Sequence, residues 1–376
     1  MSPPVADIDT SALKENFAAV AARGGDDVAL YFYSYLFLKY PETREMFPPA
    51  MTKQRDRLVG ALLRIVSNVD KVDQLVPYLE DLGRDHRKFG TVTAHYPAVG
   101  EALFTTLRHF SGSAWTDRLA ADWAAAYGVV AGAMSGAAEK VAVTQPAYWE
   151  AEITEVDRRT FDIAVLTVRT DEPVPYLAGQ SVSVEPTTAR PREWRWFTPA
   201  NAPGGLEIEL HARLIPGGSV STALVRSSKP GDTLHLGPPF GRMTLEPGSR
   251  RPLLMVAGST GLAPMKAMIQ QVARDGGRRT ALYFGARTGR EVYDRKALTA
   301  LSDWHGWLTV VTAVSDDIRW SGPHGLVGEV AADAGEWSDH DVYVCGSPAM
   351  VGATVKRLLA DGVPQTQIRF EEFGEA

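Results

Sequence analysis

With a single cysteine, Cys345, in 376 residues, the chain can hold no internal disulfide framework and no multi-cysteine metal or iron–sulfur site, which fits a reducing compartment. An excess of one charge is also missing. Lys and Arg number 39 against 45 Asp and Glu, and the interspersed charges, net −6, leave no basic face for the phosphates of a nucleic acid. No uncharged run is long enough for a bilayer. The longest, Trp123 to Ala138, is rich in Ala and Gly and suits a tightly packed helix of a soluble protein. The N-terminus, MSPPVADIDTSALKENF, lacks the basic start and apolar core of a signal peptide, so the cytoplasm is the expected location. Repeats and low-complexity tracts are absent, and 45% hydrophobic with 22% charged residues is the balance of a folded globular chain.

That length exceeds one ordinary core, so two or three domains are expected, and the residue patterns divide it at 1–146, 147–249 and 250–376. From Asp9 to Val143 apolar residues recur at helical spacing. Asp9, Thr10 or Ser11 can cap a first helix, and Asp26 a second that runs to Tyr40 before Pro41. Further helices fit Gln54 to Ser67, Val72 to Phe89, Pro97 to Phe110 and Ser113 to Glu139. After Pro146 the pattern becomes β-branched alternation broken by Gly and Pro turns, which suggests a closed antiparallel barrel of six strands. From Pro252 apolar strands alternate with helices, the mark of an α/β domain on a parallel sheet. The fold class is therefore multi-domain: an all-α part, an antiparallel β-barrel and a parallel α/β part.

Ligands on an open parallel sheet bind beyond the carboxyl ends of its strands. The loop Ala257, Gly258, Ser259, Thr260, Gly261 follows LLMV there, and Cys345, Gly346, Ser347 and Met350 follow a second strand. Either alone is as well read as an ordinary turn; two that open onto one crevice point to a nucleotide. In the barrel segment Arg195 and Phe197 alternate onto one face, a cation beside an aromatic plate. The run Pro216 to Thr222 before an apolar turn offers backbone donors and hydroxyls to a pyrophosphate, or is simply a capped helix.

In order, YLAGQSVSV, RWFT, PGGSVSTAL, GDTLHLGPPFG, AGSTGLAPM, YFGART, VYVCGSPAMV and FEEFG make residues 148–376 resemble the ferredoxin-reductase-like flavoenzymes. The resemblance implies that Arg195 binds a flavin phosphate, Phe197 lies against the isoalloxazine and Thr198 bonds near its reactive nitrogen. Phe and Thr stand where the family usually has Tyr and Ser, which implies altered flavin affinity or potential. Gln180, Val220, Ser221 and Thr222 would complete the FAD site. Gly258, Thr260, Gly261, Cys345, Gly346 and Met350 would line the site for NAD(P)H, with Glu371 and Phe373 near the flavin ring. Arg287 could meet a 2′-phosphate or be a solvated charge, and the reading leans to NADH.

Of 8 histidines, His86 alone lies centrally in a helix, with Leu82 and Phe89 on neighbouring faces. A lone helical histidine is more often solvated than a ligand. Tyr33, Phe37, Phe47, Gln54 and Leu58 nevertheless supply the aromatic, polar and apolar groups that a gas bound to iron requires. The segments YFYSYLFLKYPETREMF, QRDRLVGAL, VPYLEDLGRDHRKFG, HYPAVGEAL and AYGVVAGAM make residues 9–140 resemble a globin, the haem domain of the flavohaemoglobins, and the likeness then spans nearly the whole chain. It implies haem b with His86 as proximal ligand, Phe47 on the porphyrin, and Tyr33, Gln54 and Leu58 around dioxygen. Tyr96 and Glu139 would polarise the imidazole. It further implies nitric oxide dioxygenase chemistry driven by NAD(P)H through FAD, with dioxygen, nitric oxide and NAD(P)H as small-molecule partners; the sequence leaves the oligomeric state open, a monomer included. The rivals are a flavin reductase serving an external acceptor and a haem-based gas sensor, each with the globin as regulatory module.

Overall fold

The computed structural model describes residues 8–373, so the first seven residues of the segment read for a signal peptide, and Gly374 to Ala376, lie outside it. The chain divides into two compact units, Met1–Tyr148 and Trp149–Ala376.

The first unit is helical: α1 (Thr10–Gly24), α2 (Asp27–Lys39), α3 (Thr52–Ser67), α4 (Val72–His86), α5 (Tyr96–Ser111) and α6 (Asp117–Ala142). Asp9 caps α1 by accepting from the Ala12 N–H at 3.0 Å. Asp26 does not cap α2 as expected. Its backbone is already helical at φ −66° and ψ −23°, whereas a capping side chain acts from an extended residue. The helix expected to run from Val72 to Phe89 ends at His86 and tightens into a 3-10 turn, Arg87–Phe89, which Gly90 closes at φ +76°. The start expected at Ser113 moves to Asp117, because Thr116 is the residue that accepts from the Leu119 N–H, at 3.2 Å.

Buried apolar side chains of this unit form two clusters. One gathers Leu13, Phe17, Phe32, Tyr33, Leu103 and Trp123; the other gathers Leu75, Leu79 and Met134, with Leu82, Tyr96 and Val130 half-buried against it. Helices α4 and α6 meet almost backbone to backbone. A Cβ on Gly83 would lie 2.2 Å from the Met134 carbonyl oxygen, so only glycine allows the approach that sets the end of α4. No helix among the described residues is long and apolar enough to cross a membrane.

The second unit opens with strands β1 (Trp149–Arg158), β2 (Ile163–Thr170), β3 (Val182–Pro186), β4 (Arg195–Phe197), β5 (Glu207–Arg213) and β6 (Thr233–Leu236), all antiparallel in the order β4-β3-β6-β1-β2-β5. The barrel is nearly closed: Ala200 N–H donates to the Glu209 carbonyl at 2.8 Å, beside a Pro199–Leu210 bridge. A short helix, α7 (Ser219–Thr222), runs into a π-turn, Ala223–Ser227.

Then follow β7 (Leu253–Gly258), α8 (Leu262–Arg274), β8 (Thr280–Ala286), α9 (Arg295–Trp304), β9 (Leu308–Val314), α10 (Val327–Asp333), β10 (Asp341–Gly346), α11 (Pro348–Ala360) and β11 (Ile368–Glu372). Their sheet is parallel in the order β11-β10-β7-β8-β9. The chain runs outward from β7 through β9 and then returns to the other side of β7, so the topological switch lies between β7 and β10. The barrel and this sheet share apolar packing: Ile163, Val165, Ala178 and Met243 belong to the same buried cluster as Met255, Met265 and Phe284.

Candidate functional site

In the helical unit, His86 ends α4 with its Nδ1 2.7 Å from the Leu82 carbonyl. A carbonyl only accepts, so Nδ1 carries the hydrogen and Nε2 keeps its lone pair. Burial pushes the imidazole pKa below its ordinary value, against the opposing pull of Asp85, and the ring stays neutral. His86 is half-buried. Among the described residues no group of three or more His, Cys, Asp or Glu could hold a metal ion.

A second group lies on the other apolar cluster. Tyr33, 5% exposed, accepts from Gln54 Nε2 at 3.2 Å. Burial drives its pKa up to about 12, with the Gln54 bond acting the other way, so the phenol keeps its proton as a donor. Phe47 meets the Tyr33 ring edge-on at 5.4 Å, and half-buried Leu58 packs on the same cluster one turn beyond Gln54. A neutral imidazole in apolar surroundings, and a phenol paired with an amide against an aromatic wall, form a donor set that fits an iron porphyrin.

The expected link from Tyr96 to Glu139 is not formed. Glu139 is exposed and accepts from Thr93 Oγ1 at 2.5 Å, while the Tyr96 carbonyl accepts from the Tyr127 hydroxyl at 2.6 Å. Helical geometry explains the difference: Ala137 is on the buried face of α6, and two residues further on the side chain points to the opposite side. Tyr127 was missed by the sequence reading. Its only signal was a polar aromatic inside the apolar stretch AYGVV.

In the second unit, Arg195 and Phe197 stand on β4 opposite Val184 and Val182. Arg195 Nη1 donates to the Trp194 carbonyl at 2.7 Å, and Phe197 packs half-buried against the barrel core. Thr198 Oγ1 lies 2.8 Å from Ser181 Oγ, which donates to Glu371 Oε1 at 3.2 Å, so Thr198 is the donor to Ser181. Burial raises the Glu371 pKa, an effect that the Ser181 bond partly offsets. Both ends of the Gln180 amide are engaged, with Leu177 N–H at 2.9 Å and the Gly241 carbonyl at 3.2 Å. Ser221 and Thr222 hydroxyls turn back on the Gly218 carbonyl at 3.3 and 2.6 Å, and Val220 is buried in the barrel core. These groups brace the turn.

At the switch point the two glycine-bearing loops touch. A Cβ on Gly261 would lie 2.3 Å from the Cys345 carbonyl oxygen, and Met350 Sδ would be 2.7 Å from one on Gly346 and 3.5 Å from one on Gly258. Thr260 sits between them in a 3-10 turn. The Cys345 thiol is fully buried with its pKa pushed well up by that burial, so only its backbone borders the loop. Glu371 pairs with Cys345 in the sheet, and Phe373 N–H donates to the Gly346 carbonyl at 2.8 Å, which places the C-terminal segment beside the same loops. Sequence reasoning also missed Ser181 and Arg213; Arg213 donates to Ser259 Oγ at 2.9 Å.

Three families match in chain order: Globin over residues 30–134, Oxidoreductase FAD-binding domain over 150–245 and Oxidoreductase NAD-binding domain over 255–356. The flavohemoprotein of Bordetella parapertussis is 29% identical over 394 residues, covering 97% of this chain and 98% of that protein. The ferredoxin–NAD(P)+ reductase CarAd of Metapseudomonas resinovorans is 34% identical over 230 residues, 60% of this chain and 68% of that one. Among solved structures, the flavohemoglobin from Malassezia yamatoensis with bound FAD and heme shares the fold at a TM-score of 0.80 and 19% identity, covering 97% of this chain and 98% of that one.

Proposed function

The chain belongs to the flavohaemoprotein family, and from that premise we propose that it oxidises nitric oxide to nitrate with dioxygen, using electrons drawn from NAD(P)H through FAD and haem. Haem supplies an iron that binds diatomic gases, and FAD supplies the passage from a two-electron donor to one-electron chemistry. His86 is the residue that would hold the iron, since its Nε2 keeps a free lone pair. The Leu82 carbonyl, by drawing on the Nδ1 hydrogen, orients the ring and makes Nε2 more basic. The Tyr33 hydroxyl, which here donates to the Gln54 carbonyl at 3.5 Å and accepts from Gln54 Nε2 at 3.2 Å, would turn its donor to a gas bound beside it, while Phe47 and Leu58 supply apolar walls.

In the second unit Arg195 supplies a cation for a phosphate and Phe197 a plate for a flat ring. The Thr198–Ser181–Glu371 chain holds a proton-bearing path in position beside that plate. The loops at Gly258–Gly261 and Cys345–Met350, which approach closely at the switch point, would hold the dinucleotide.

The observation that carries the reading is the fixed His86 tautomer and the Tyr33–Gln54 pair, in one helical unit of a chain that also bears the reductase motifs. Purified full-length protein loaded with haem and FAD is expected to consume nitric oxide at the expense of NADH or NADPH in air. A second reading is favoured by Glu139, which is bonded to Thr93 and leaves Tyr96 without a carboxylate to strengthen the imidazole. The chain would then be a reductase for an external acceptor. Nucleotide oxidation that neither reduces haem nor quickens with nitric oxide selects that reading and rejects the first.

A further inference from the structure

Strand β5 carries Glu209, His211 and Arg213 at alternate positions, so the three project from one face. Each reaches the nucleotide-binding half. Glu209 Oε1 accepts from Lys266 Nζ at 2.7 Å, His211 Nδ1 lies 2.6 Å from the Tyr293 hydroxyl, and Arg213 Nη1 donates to Ser259 Oγ at 2.9 Å. The third contact differs from the others because Ser259 lies inside the Gly258–Gly261 loop itself.

Ser259 has φ +53°, one of two described non-glycine residues in the left-handed region. A side chain disfavours that conformation, and surrounding structure must hold it there. Arg213 can do so. Its guanidinium is itself braced, with Nε donating to Asp162 Oδ2 at 3.1 Å, and Asp162 belongs to the turn between β1 and β2. A rigid barrel turn is thus tied through one planar fork to the residue whose backbone shapes the nucleotide loop.

We propose that Arg213 is a positioning residue for hydride transfer, holding Ser259 left-handed so that the loop presents the nicotinamide to the flavin at reacting distance. The inference rests on the reading that NAD(P)H reduces FAD on this chain. The step served is transfer of a hydride from NAD(P)H, which leaves as NAD(P)+, to oxidised flavin, with one proton taken from water. Arg213 touches none of the reacting atoms and acts through the loop alone.

The test is anaerobic stopped-flow bleaching of flavin in the full-length, FAD-loaded protein over a series of NADH and of NADPH concentrations. Wild type, Arg213→Ala, Ser259→Ala and the double variant are compared, with melting temperatures recorded for each. Each single variant is expected to slow the limiting rate roughly ten- to a hundredfold, as a small misplacement of reacting groups does. Half-saturation is expected to move less than about threefold, because binding is not the interaction lost. The double variant is expected to be no slower than the slower single one, since both remove the same tie. Ser259→Ala deletes one hydroxyl and carries the test should Arg213→Ala unfold the unit. A raised half-saturation with an unchanged limiting rate makes Arg213 a direct nucleotide ligand and overturns the proposal. So do additive losses in the double variant, or lowered melting with unchanged rates. Wild-type flavin bleached by neither nucleotide removes the underlying reading, and the proposal with it.

Discussion

Replacing Lys266 by methionine is expected to destabilise the second unit by about 3 kcal/mol, the lower end of what removing one member of a buried ion pair costs. Lys266 Nζ donates to Asp294 Oδ2 at 2.6 Å and to Glu209 Oε1 at 2.7 Å, with its side chain 7% exposed and that of Asp294 fully buried. Methionine keeps the length and apolar stem of lysine, so the change deletes the charge with little change of packing. Asp294 then keeps Arg159 Nη1 at 2.7 Å, and Glu209 keeps His211 Nε2 at 2.8 Å. Arg159 softens the loss, which is why the lower figure applies. His211 does not, because burial lowers its pKa and keeps it uncharged despite Glu209. For a unit of this size the figure corresponds to a fall in melting temperature of roughly 6–12 °C. Thermal unfolding of the full-length protein, followed by near-ultraviolet circular dichroism and by release of FAD, measures it. A shift below about 2 °C would refute the reasoning, since by the same scaling it leaves less than about 1 kcal/mol for a charge argued to be buried and paired.

Tyr33→Phe removes the phenol donor while keeping its ring against Phe47, and should speed dioxygen loss roughly ten- to a hundredfold, as the loss of a hydrogen bond to a strongly polar partner does. Stopped-flow displacement of dioxygen by carbon monoxide measures this, and nitric oxide consumption should fall with it. Glu209 has its pKa lowered to about 2, because the His211 and Lys266 bonds outweigh the desolvation that would raise it. Its contribution to stability is therefore present above the ordinary carboxyl range and is lost as pH falls from about 4.5 toward 2. Melting temperature followed across that window should drop more in wild type than in Glu209→Gln; parallel curves would contradict the assignment. Gly83→Ala forces a methyl onto the Met134 carbonyl and should cost the helical unit at least about 2 kcal/mol by overpacking, seen as faster haem transfer to apomyoglobin. Glu139→Gln should leave turnover and the haem spectrum as they are, because its carboxylate is bonded to Thr93 at the surface; a tenfold loss of turnover would show that it acts on the proximal imidazole.

Much of this architecture was legible because local periodicity encodes it. Apolar spacing distinguishes the helices of residues 9–143 from the alternating strands after Pro146, and Gly-rich ends mark LLMVAG and VYVCG as strands whose loops can approach each other closely. His86 was legible from its place between Leu82 and Phe89. Its tautomer was not, since that follows from which carbonyl Nδ1 reaches.

By itself the sequence determined the kinds of element, their order and the motif loops, because each depends on neighbours within a turn or two. Only the tertiary structure decided which faces meet. Glu139 turned from Tyr96 because the packing of α6 put Ala137 inward. The Cys345 thiol was sealed in the sheet, leaving its carbonyl to touch Gly261. Arg213 found Ser259 46 residues away, and Lys266 found Glu209 57 residues away. Such pairings join residues that share no local pattern; burial of a common core brings them together, and a buried charge or strained backbone is stable only where that core supplies its partner.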